Sequence, residues 1–173
     1  MKNVAGANPV QITRIRPEDW QLFWDLRVEF VESSPDAISL ANPAFMRSRP
    51  KILWMNFADE LATQTDSAAF IAWKAAEAVG FVEVNLLRHV DQGRIANIWV
   101  RSSSRRQGIG ENLLKEAFAF FEASGVAKAS LLATTTNQEA IRFYERRGFS
   151  STGEVLCLRG GLGPTIAEYI RTL

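Results

Sequence analysis

The sequence SSSRRQGIGENLL, residues 102–114, decides how this chain folds and what it binds, because two glycines follow a pair of arginines and precede a run with helical periodicity. Glycine has no Cβ, so its backbone can approach a ligand closely. The N–H groups at the start of a helix have no internal partners and favour an anion. Arg105 and Arg106 add positive charge. The stretch therefore predicts a site for an anion, with phosphate as the first candidate.

Two common phosphate-binding loops do not fit these residues. A P-loop needs a Gly-Lys pair followed by serine or threonine, which the chain does not supply. A dinucleotide-binding loop would need a third glycine at Leu113 and a preceding βαβ unit. What remains is Arg105-x-x-Gly108-x-Gly110 at the start of a helix. On this pattern alone, a plain glycine-rich turn with solvated arginines is an alternative.

The length and composition predict one globular domain. The chain has 173 residues, of which 47% are hydrophobic and 10% aromatic, enough for a packed core. We expect residues 1–173 to form a single domain. Its ordered core should begin at about residue 10, after a loose N-terminus over residues 1–9.

Charge, hydropathy and cysteine content exclude several other classes of protein. The formal net charge is +1, which gives no nucleic-acid-binding balance. No segment reaches the roughly 18 apolar residues that a membrane helix needs, so no membrane partner is expected. The single cysteine, Cys157, excludes an internal disulfide and cysteine-based zinc sites, and no metal is predicted. The N-terminus does not resemble a signal peptide, so the predicted location is cytoplasmic.

Apolar periodicity predicts the order strand, two helices, three strands, helix, strand, helix, two strands. The helices begin near Pro17, after Pro50, after the glycine loop and at Asn137, and the last two end at Gly125 and Gly148. This order predicts an α/β (or α+β) domain. Its sheet should be mixed and mostly antiparallel, with about seven strands and helices on both faces.

Two spaced motifs and this element order resemble the GNAT superfamily of acetyl-CoA-dependent N-acetyltransferases. That superfamily carries [Arg/Gln]-x-x-Gly-x-[Gly/Ala] five residues after a strand valine, and Val100 and Arg105 have this spacing. The second motif is NQEAIRFYERRGF, which matches at Asn137, Ala140, Phe143, Tyr144, Gly148 and Phe149. The resemblance covers residues 10–173 and implies a GNAT-like fold with acetyl-CoA as co-substrate.

The resemblance also implies roles for individual residues. The loop N–H groups would hold the pyrophosphate of coenzyme A, and the end of the preceding strand would pair with the pantetheine arm. The N–H of Val100 would face the thioester oxygen, and Tyr144 would protonate the departing thiolate. The implied cofactor-binding residues are Ile98, Trp99, Val100, Arg105, Arg106, Gln107, Gly108, Ile109, Gly110, Glu111, Asn137, Ala140, Phe143 and Tyr144. Sheet packing for the strand residues, a buried aromatic role for Tyr144 and a cap for Asn137 are the alternatives.

The acceptor amine must also lose a proton. Many relatives have a glutamate three residues before the equivalent of Val100, and this chain has Asn97 there, which cannot act as a base. Glu83 on the preceding strand is the predicted base, with a solvent-facing strand acid as the alternative. Cys157 lies in an apolar stretch and is predicted to be a core residue, which favours direct transfer over an acetyl-cysteine route.

The charge distribution bears on the acceptor. Residues 17–66 contain 4 Lys/Arg against 9 Asp/Glu, and residues 88–147 contain 10 against 6. This asymmetry predicts a small-molecule primary amine as acceptor, such as a polyamine, an aminoglycoside or an amino-acid derivative. Ordinary solvated faces, a peptide or protein acceptor, a longer acyl-CoA and a non-catalytic acetyl-CoA sensor are alternatives. The sequence is also compatible with a homodimer.

Overall fold

The computed structural model describes residues 9–34, 42–158 and 163–173. The loose N-terminus predicted for residues 1–9 therefore lies outside the described residues, apart from Pro9. The sequence SSPDAISLANP, residues 33–43, predicts a break after the first helix, and RGGLGP, residues 159–164, predicts a turn between the last two strands. Most of both segments also lies outside the described residues.

The predicted order of elements is confirmed except for one additional short helix between the first two predicted helices. The strands are β1 (Gln11–Arg14), β2 (Ser67–Lys74), β3 (Glu77–Leu87), β4 (Gln92–Val100), β5 (Lys128–Thr134), β6 (Ser150–Cys157) and β7 (Thr165–Thr172). The helices are α1 (Trp20–Ser33), α2 (Pro43–Ser48), α3 (Lys51–Thr63), α4 (Ile109–Ala123) and α5 (Gln138–Glu145). Short 3₁₀ turns at Pro17–Asp19, Arg88–Val90 and Ser102–Ser104 complete the order.

Helix α2 is the helix that the periodicity did not predict. It has 6 residues and begins at Pro43, and the side chain of Asn42 caps it by accepting a hydrogen bond from the backbone N–H of Ala44. A helix of fewer than two turns shows too little of the 3.6-residue period to be recognised from apolar spacing.

The strands form one seven-stranded sheet in the order β1-β2-β3-β4-β5-β7-β6. Strands β4 and β5 pair in parallel, and the other neighbours pair antiparallel. The predicted fold class, an α/β domain with a mixed, mostly antiparallel sheet, is therefore confirmed. Because β7 lies between β5 and β6, strand β6 forms an edge of the sheet, and all of its residues are exposed.

The edge position of β6 corrects the prediction for Cys157. The residue was expected in the core because its neighbours are apolar, but it is exposed. Val155 and Leu156 on the same strand are also more than half exposed. An apolar sequence does not distinguish an edge strand from a central one, since that difference depends on which strand is inserted beside it.

Helices cover both faces of the sheet. One buried cluster packs α4 and α5 on the first face, with Leu113, Phe121 and Tyr144 among its members. A second cluster packs α1 and α3 on the other face, around Phe23 and Phe81. Burial of each such large apolar side chain contributes about 1.5–3 kcal/mol. The sheet is therefore a central layer with an apolar core on each side.

The middle of the sheet is interrupted where β4 and β5 diverge. Glu83 of β3 lies opposite Asn97, but the next residue, Val84, lies opposite Ile95, so Ala96 is an extra residue in β4. Such a bulge bends the strand that contains it. The pairing of β4 with β5 runs from Gln92↔Lys128 to Ile95↔Leu131 and ends before this bulge. The last residues of β4 are thus separated from β5, and a gap opens between the two strands.

Candidate active site

The gap between β4 and β5 is a cleft of about 510 Å³, within the range of small-molecule sites. It is bounded by the ends of β4 and β5, the loop before α4, the first turn of α4, helix α5 and the end of α1. Of the predicted cofactor-binding residues, the structure brings together in its lining Ile98, Trp99, Val100, Arg105, Arg106, Gly108, Ile109, Gly110, Glu111, Asn137, Ala140, Phe143 and Tyr144. Gln107 does not line the cleft, and its Oε1 accepts a hydrogen bond from Lys74 Nζ at 2.7 Å.

The loop before α4 turns through left-handed backbone conformations. Gly108, the residue that precedes α4, has φ +79°, and Arg106 has φ +61°. No side chain caps this end of the helix. The N–H groups of Ile109, Gly110 and Glu111 in the first turn therefore have no partner within the helix. Free N–H groups of this kind suit an anion, and phosphate binding here stays a prediction.

Positive charge surrounds this helix end. Arg105, Arg106, Arg146 and Arg147 line the cleft together with two carboxylates, Glu111 and Glu139. Arg106 Nη2 lies 3.4 Å from Glu139 Oε1, and Arg147 Nη2 lies 3.3 Å from Glu111 Oε2. Four guanidinium groups against two carboxylates leave an excess of positive charge, which favours a ligand with several phosphate charges.

The backbone of Val100 is available to a ligand. Val100 lies opposite Gly80, and the N–H of Arg101 donates to Val79 O at 2.8 Å. This pattern identifies Val100 and Gly80 as a non-hydrogen-bonded pair, so the N–H and C=O of Val100 point away from β3. On that side the pairing with β5 has already ended. Arg105 Nε donates to Val100 O at 3.0 Å, and the N–H faces the cleft.

Tyr144 lies in the cleft lining and is 9% exposed. Its ring packs edge-on against Phe143 and Phe149, with centroids 5.4 and 6.0 Å away. Burial raises the pKa of the Tyr144 hydroxyl to about 12, because the phenolate would be poorly solvated there. At neutral pH the residue is therefore a phenol, which can donate a proton or a hydrogen bond.

Asn137 and Gly110 fix the position of α5 against the cleft. The Asn137 side chain accepts a hydrogen bond from Ala140 N at 3.1 Å, so the predicted cap is confirmed. A Cβ on Gly110 would lie 3.1 Å from the Phe143 ring, so α4 and α5 approach closely here. Arg147 stacks on the other side of this contact, with its guanidinium carbon 3.9 Å from the Phe143 ring centroid.

The cleft continues to the α1 face of the sheet. Ile98 and Val100 pack towards α4, whereas Trp99 belongs to the cluster around α1. Alternation along β4 and β5 places four lining residues on the α1 face, and the end of α1 adds two more. These six residues are Asn97, Trp99, Leu132, Thr134, Phe30 and Ser34.

Several of these residues were not predicted from the sequence. They are Ser34, Leu132 and Thr134, whereas Phe30 stands at helical spacing in the first helix and was expected mainly in the core. The sequence carries no local signal for them, because their proximity depends on how α1 crosses the sheet. Thr134 is 4% exposed, and neither its Oγ1 nor the Nε1 of Trp99 has a hydrogen-bond partner among the described residues. Both unpaired polar groups are buried at this end of the cleft.

Glu83, the predicted base, lies behind the cleft lining. Its side chain is buried, forms an ion pair with Arg27 of α1 and accepts a hydrogen bond from Asn97 Nδ2 at 2.7 Å. Glu83 itself does not line the cleft, whereas Asn97 does. The structure thus connects Glu83 to the cleft through Asn97, and its role as a base stays a prediction.

Several acids of residues 17–66 pair with arginines and do not line the cleft. These pairs are Arg16–Asp19, Arg101–Glu29, Arg47–Glu32 and Arg88–Asp66. Their charge is neutralised locally, so they do not supply the cleft with the negative potential that the charge asymmetry suggested.

The structure gives two further observations within its described residues. No group of three or more His, Cys, Asp or Glu side chains there could hold a metal ion. None of the described helices combines the length and hydropathy needed to cross a membrane.

Solved structures share this fold. PaiA N-acetyltransferase from Thermoplasma acidophilum, solved in complex with coenzyme A, aligns over 95% of this chain and 99% of its own, with a TM-score of 0.72 and 17% identity. The acetyltransferase of the GNAT family from Streptococcus pneumoniae aligns over 95% and 100%, with a TM-score of 0.73 and 19% identity. At these identities the likeness concerns the fold.

Sequence comparisons give the family. N-alpha-acetyltransferase 30 from Homo sapiens is 35% identical over 83 residues, which are 46% of this chain and 23% of that protein. The matched part is thus about a quarter of the length of this curated relative. The model of the acetyltransferase (GNAT) family matches residues 23–149, which is most of the chain and contains the cleft. The chain therefore belongs to the GNAT acetyltransferase family.

Proposed function

We propose that this enzyme transfers the acetyl group of acetyl-CoA directly to a primary amine of a small-molecule acceptor. The observation that carries the proposal is the cleft between β4 and β5, which connects the two faces of the sheet. Its α4 face has the free helix N-terminus and the excess of arginines, which suit the phosphates of coenzyme A. Its α1 face has uncharged polar and aromatic side chains, which suit an organic acceptor.

The N–H of Val100 lies between these two ends. When an amine attacks the thioester carbon, negative charge develops on the carbonyl oxygen. A backbone N–H that faces this oxygen stabilises the charge, and one such donor contributes on the order of 3 kcal/mol to the lowering of the barrier. Because Val100 is fixed by its pairing with Gly80, the donor is already oriented before the reaction.

Tyr144 is the proposed proton donor to the departing thiolate. It lines the α4 face of the cleft together with the end of β4, and its raised pKa keeps it protonated. A general acid of this kind typically contributes about 10²- to 10⁴-fold to the rate.

Direct transfer is favoured because no cysteine lies in the cleft lining of the described residues. Cys157, the one cysteine of the chain, is exposed on the edge strand β6. A covalent acetyl-cysteine would need a thiol within reach of the thioester carbon. The amine itself is then the proposed nucleophile, and Glu83 is the candidate base because it lies directly behind Asn97 of the α1 face.

A peptide α-amine is a second candidate acceptor. It is favoured by the 35% identity with N-alpha-acetyltransferase 30 over 83 residues, whose name describes acetylation of α-amino groups. The uncharged lining of the α1 face suits an acceptor of this kind as well as a small amine.

A panel of amines tests the proposal and separates the two acceptor classes. Thiol release from acetyl-CoA is measured with spermidine, lysine, kanamycin, alaninamide and an alanine-initiated tetrapeptide, and the acetylated product is identified by mass spectrometry. We expect at least one small amine to accelerate thiol release and to gain one acetyl group. Acceleration by the tetrapeptide alone would favour the second candidate. Acetyl-CoA binding without acceleration by any member would contradict amine acetylation.

A further inference from the structure

Resting on the proposed function, we infer that Asn97 binds the amine end of the acceptor through its side-chain carbonyl, and that Glu83 and Arg27 hold it in that orientation. Asn97 occupies the α1 face of the cleft, at the bulge where β4 leaves β5. Asn97 is thereby a binding group for the acceptor, and its chemistry determines which acceptors bind.

The orientation of the Asn97 amide follows from its neighbour. A carboxylate has only acceptor oxygens, so the group of Asn97 that faces Glu83 must be the NH₂ donor. The structure has this arrangement, with Nδ2 of Asn97 2.7 Å from Oε2 of Glu83. The planar amide then directs its carbonyl Oδ1 away from Glu83. Because Asn97 lines the cleft, this carbonyl is available to accept a hydrogen bond from an N–H group there.

Glu83 is itself held in place. It is 4% exposed, its other carboxylate oxygen pairs with Arg27, and the Arg27 guanidinium carbon lies 5.3 Å from the Phe57 ring centroid. Removing one partner of a buried pair leaves the other charge without compensation, so the arrangement resists change. The buried Glu83–Arg27 pair, which joins β3 to α1, therefore positions the acceptor by fixing the orientation of the Asn97 amide.

This arrangement predicts the kind of acceptor. An amide carbonyl accepts an N–H hydrogen bond but does not neutralise a positive charge. Among the described residues, the six that line the α1 face (Asn97, Trp99, Leu132, Thr134, Phe30 and Ser34) include no carboxylate. Recognition should therefore depend on hydrogen bonding and apolar contact, so that the KM for the acceptor changes little with ionic strength.

Asn97→Ala tests the inference, with the panel amine that gives the highest rate as the probe. The acceptor KM should rise about 10- to 100-fold, as expected for a lost hydrogen bond to a charged amine, while the KM for acetyl-CoA stays unchanged. Asn85→Ala is the matched control, because Asn85 is an exposed strand asparagine outside the cleft lining. Asn97→Thr is the second variant. Threonine suits a strand and can still donate to Glu83, but it lacks the projecting carbonyl.

Glu83→Gln separates positioning from proton transfer. If Glu83 acts through Asn97, Glu83→Gln raises the acceptor KM, and the double variant raises it no more than Asn97→Ala alone. Additive effects of the two substitutions on this KM would overturn the positioning role. A fall in kcat with a changed pH profile in both backgrounds, with the acceptor KM of Glu83→Gln at the parent value, would support Glu83 as the base alone and would overturn its action through Asn97.

Three other outcomes would overturn different claims. Parent-like acceptor KM in folded Asn97→Ala and Asn97→Thr, with normal turnover of the parent, overturns the inference alone. Absence of amine-dependent turnover in the parent overturns the proposed function and this inference with it. An acceptor KM that rises steeply with salt would overturn the claim that hydrogen bonding and apolar contact, rather than charge, recognise the acceptor.

Discussion

At the scale of single residues, Tyr144 gives the sharpest test of the proposed chemistry. Tyr144→Phe keeps the ring and its edge-on contacts with Phe143 and Phe149 and removes only the hydroxyl. We expect kcat to fall by at least about tenfold, against the ~10²- to 10⁴-fold that a general acid typically contributes, with acetyl-CoA affinity almost unchanged. Steady-state kinetics and a binding titration measure the two effects.

The control for this substitution is Tyr169→Phe. Tyr169 is also buried, but it lies in β7 outside the cleft lining, so its hydroxyl cannot reach the reacting atoms. Its replacement should leave kcat at the parent value. Full activity of Tyr144→Phe, with the chemical step shown to be rate-limiting, would reduce Tyr144 to a packing residue.

The raised pKa of Tyr144 also predicts how stability changes with pH. The folded state holds the phenolic proton more tightly than the unfolded state, whose tyrosine pKa is near 10.0, since burial raises the pKa to about 12. This contribution is fully present below about pH 10 and is lost as the pH rises towards about 12, up to about 3 kcal/mol at about 1.4 kcal/mol per unit.

Urea denaturation at about pH 8 and about pH 11 measures this loss. The free energy of unfolding should fall between the two conditions, and it should fall less in Tyr144→Phe. Burial also raises the pKa of Tyr169, so some decrease should persist in that variant. An equal decrease in the parent and in Tyr144→Phe would show that the Tyr144 hydroxyl is not desolvated.

The sequence indicated which residues lie together where a motif reflects local geometry, and their roles stay predictions. Gly108, Gly110 and Tyr144 lie within short motifs whose spacing reflects one loop and one helix, and all three line the cleft. The contact of Glu83 with Arg27 joins residues 56 positions apart, and nothing in the local sequence indicates it.

At the scale of elements, the first turn of α4 should hold the phosphates. Gly108 at its start and Gly125 after its end have nearly equal left-handed φ values, +79° and +76°, and an added Cβ at either position meets nothing within 4 Å. A side chain in this conformation costs about 1–2 kcal/mol. Gly108→Val and Gly125→Val should therefore lower stability by similar amounts.

Only Gly108→Val should weaken acetyl-CoA binding, because its side chain occupies the approach of the phosphates. Thermal unfolding with and without acetyl-CoA measures this, since a ligand that binds the folded state raises the Tm by mass action. The shift should be largely lost in Gly108→Val and retained in Gly125→Val. Equal shifts in the two variants would show that the phosphates bind elsewhere.

The elements that the sequence predicted and those it missed differ in length. Helix α3 and helix α4 have 13 and 15 residues, enough for the apolar period to be recognised. Helix α2, with 6 residues, is too short for this signal. The sequence also gives no signal for the bulge at Ala96, although this bulge bends β4 and thereby helps to open the cleft.

At the scale of the whole molecule, the order of elements could be predicted, and their arrangement around the acceptor could not. The placement of β7 between β5 and β6 turned an apolar strand into an exposed edge and brought Cys157 to the surface. The crossing of α1 over the sheet made Phe30 and Ser34 part of the cleft. Both depend on long-range packing, which a local pattern does not encode.

The central claim is that the amine attacks acetyl-CoA directly while both occupy the cleft between β4 and β5. Initial rates of thiol release, with acetyl-CoA and the best amine of the panel varied together, test it most directly. Direct transfer requires a ternary complex, so double-reciprocal plots should give intersecting lines. Parallel lines would indicate a covalent acetyl-enzyme and would contradict the account.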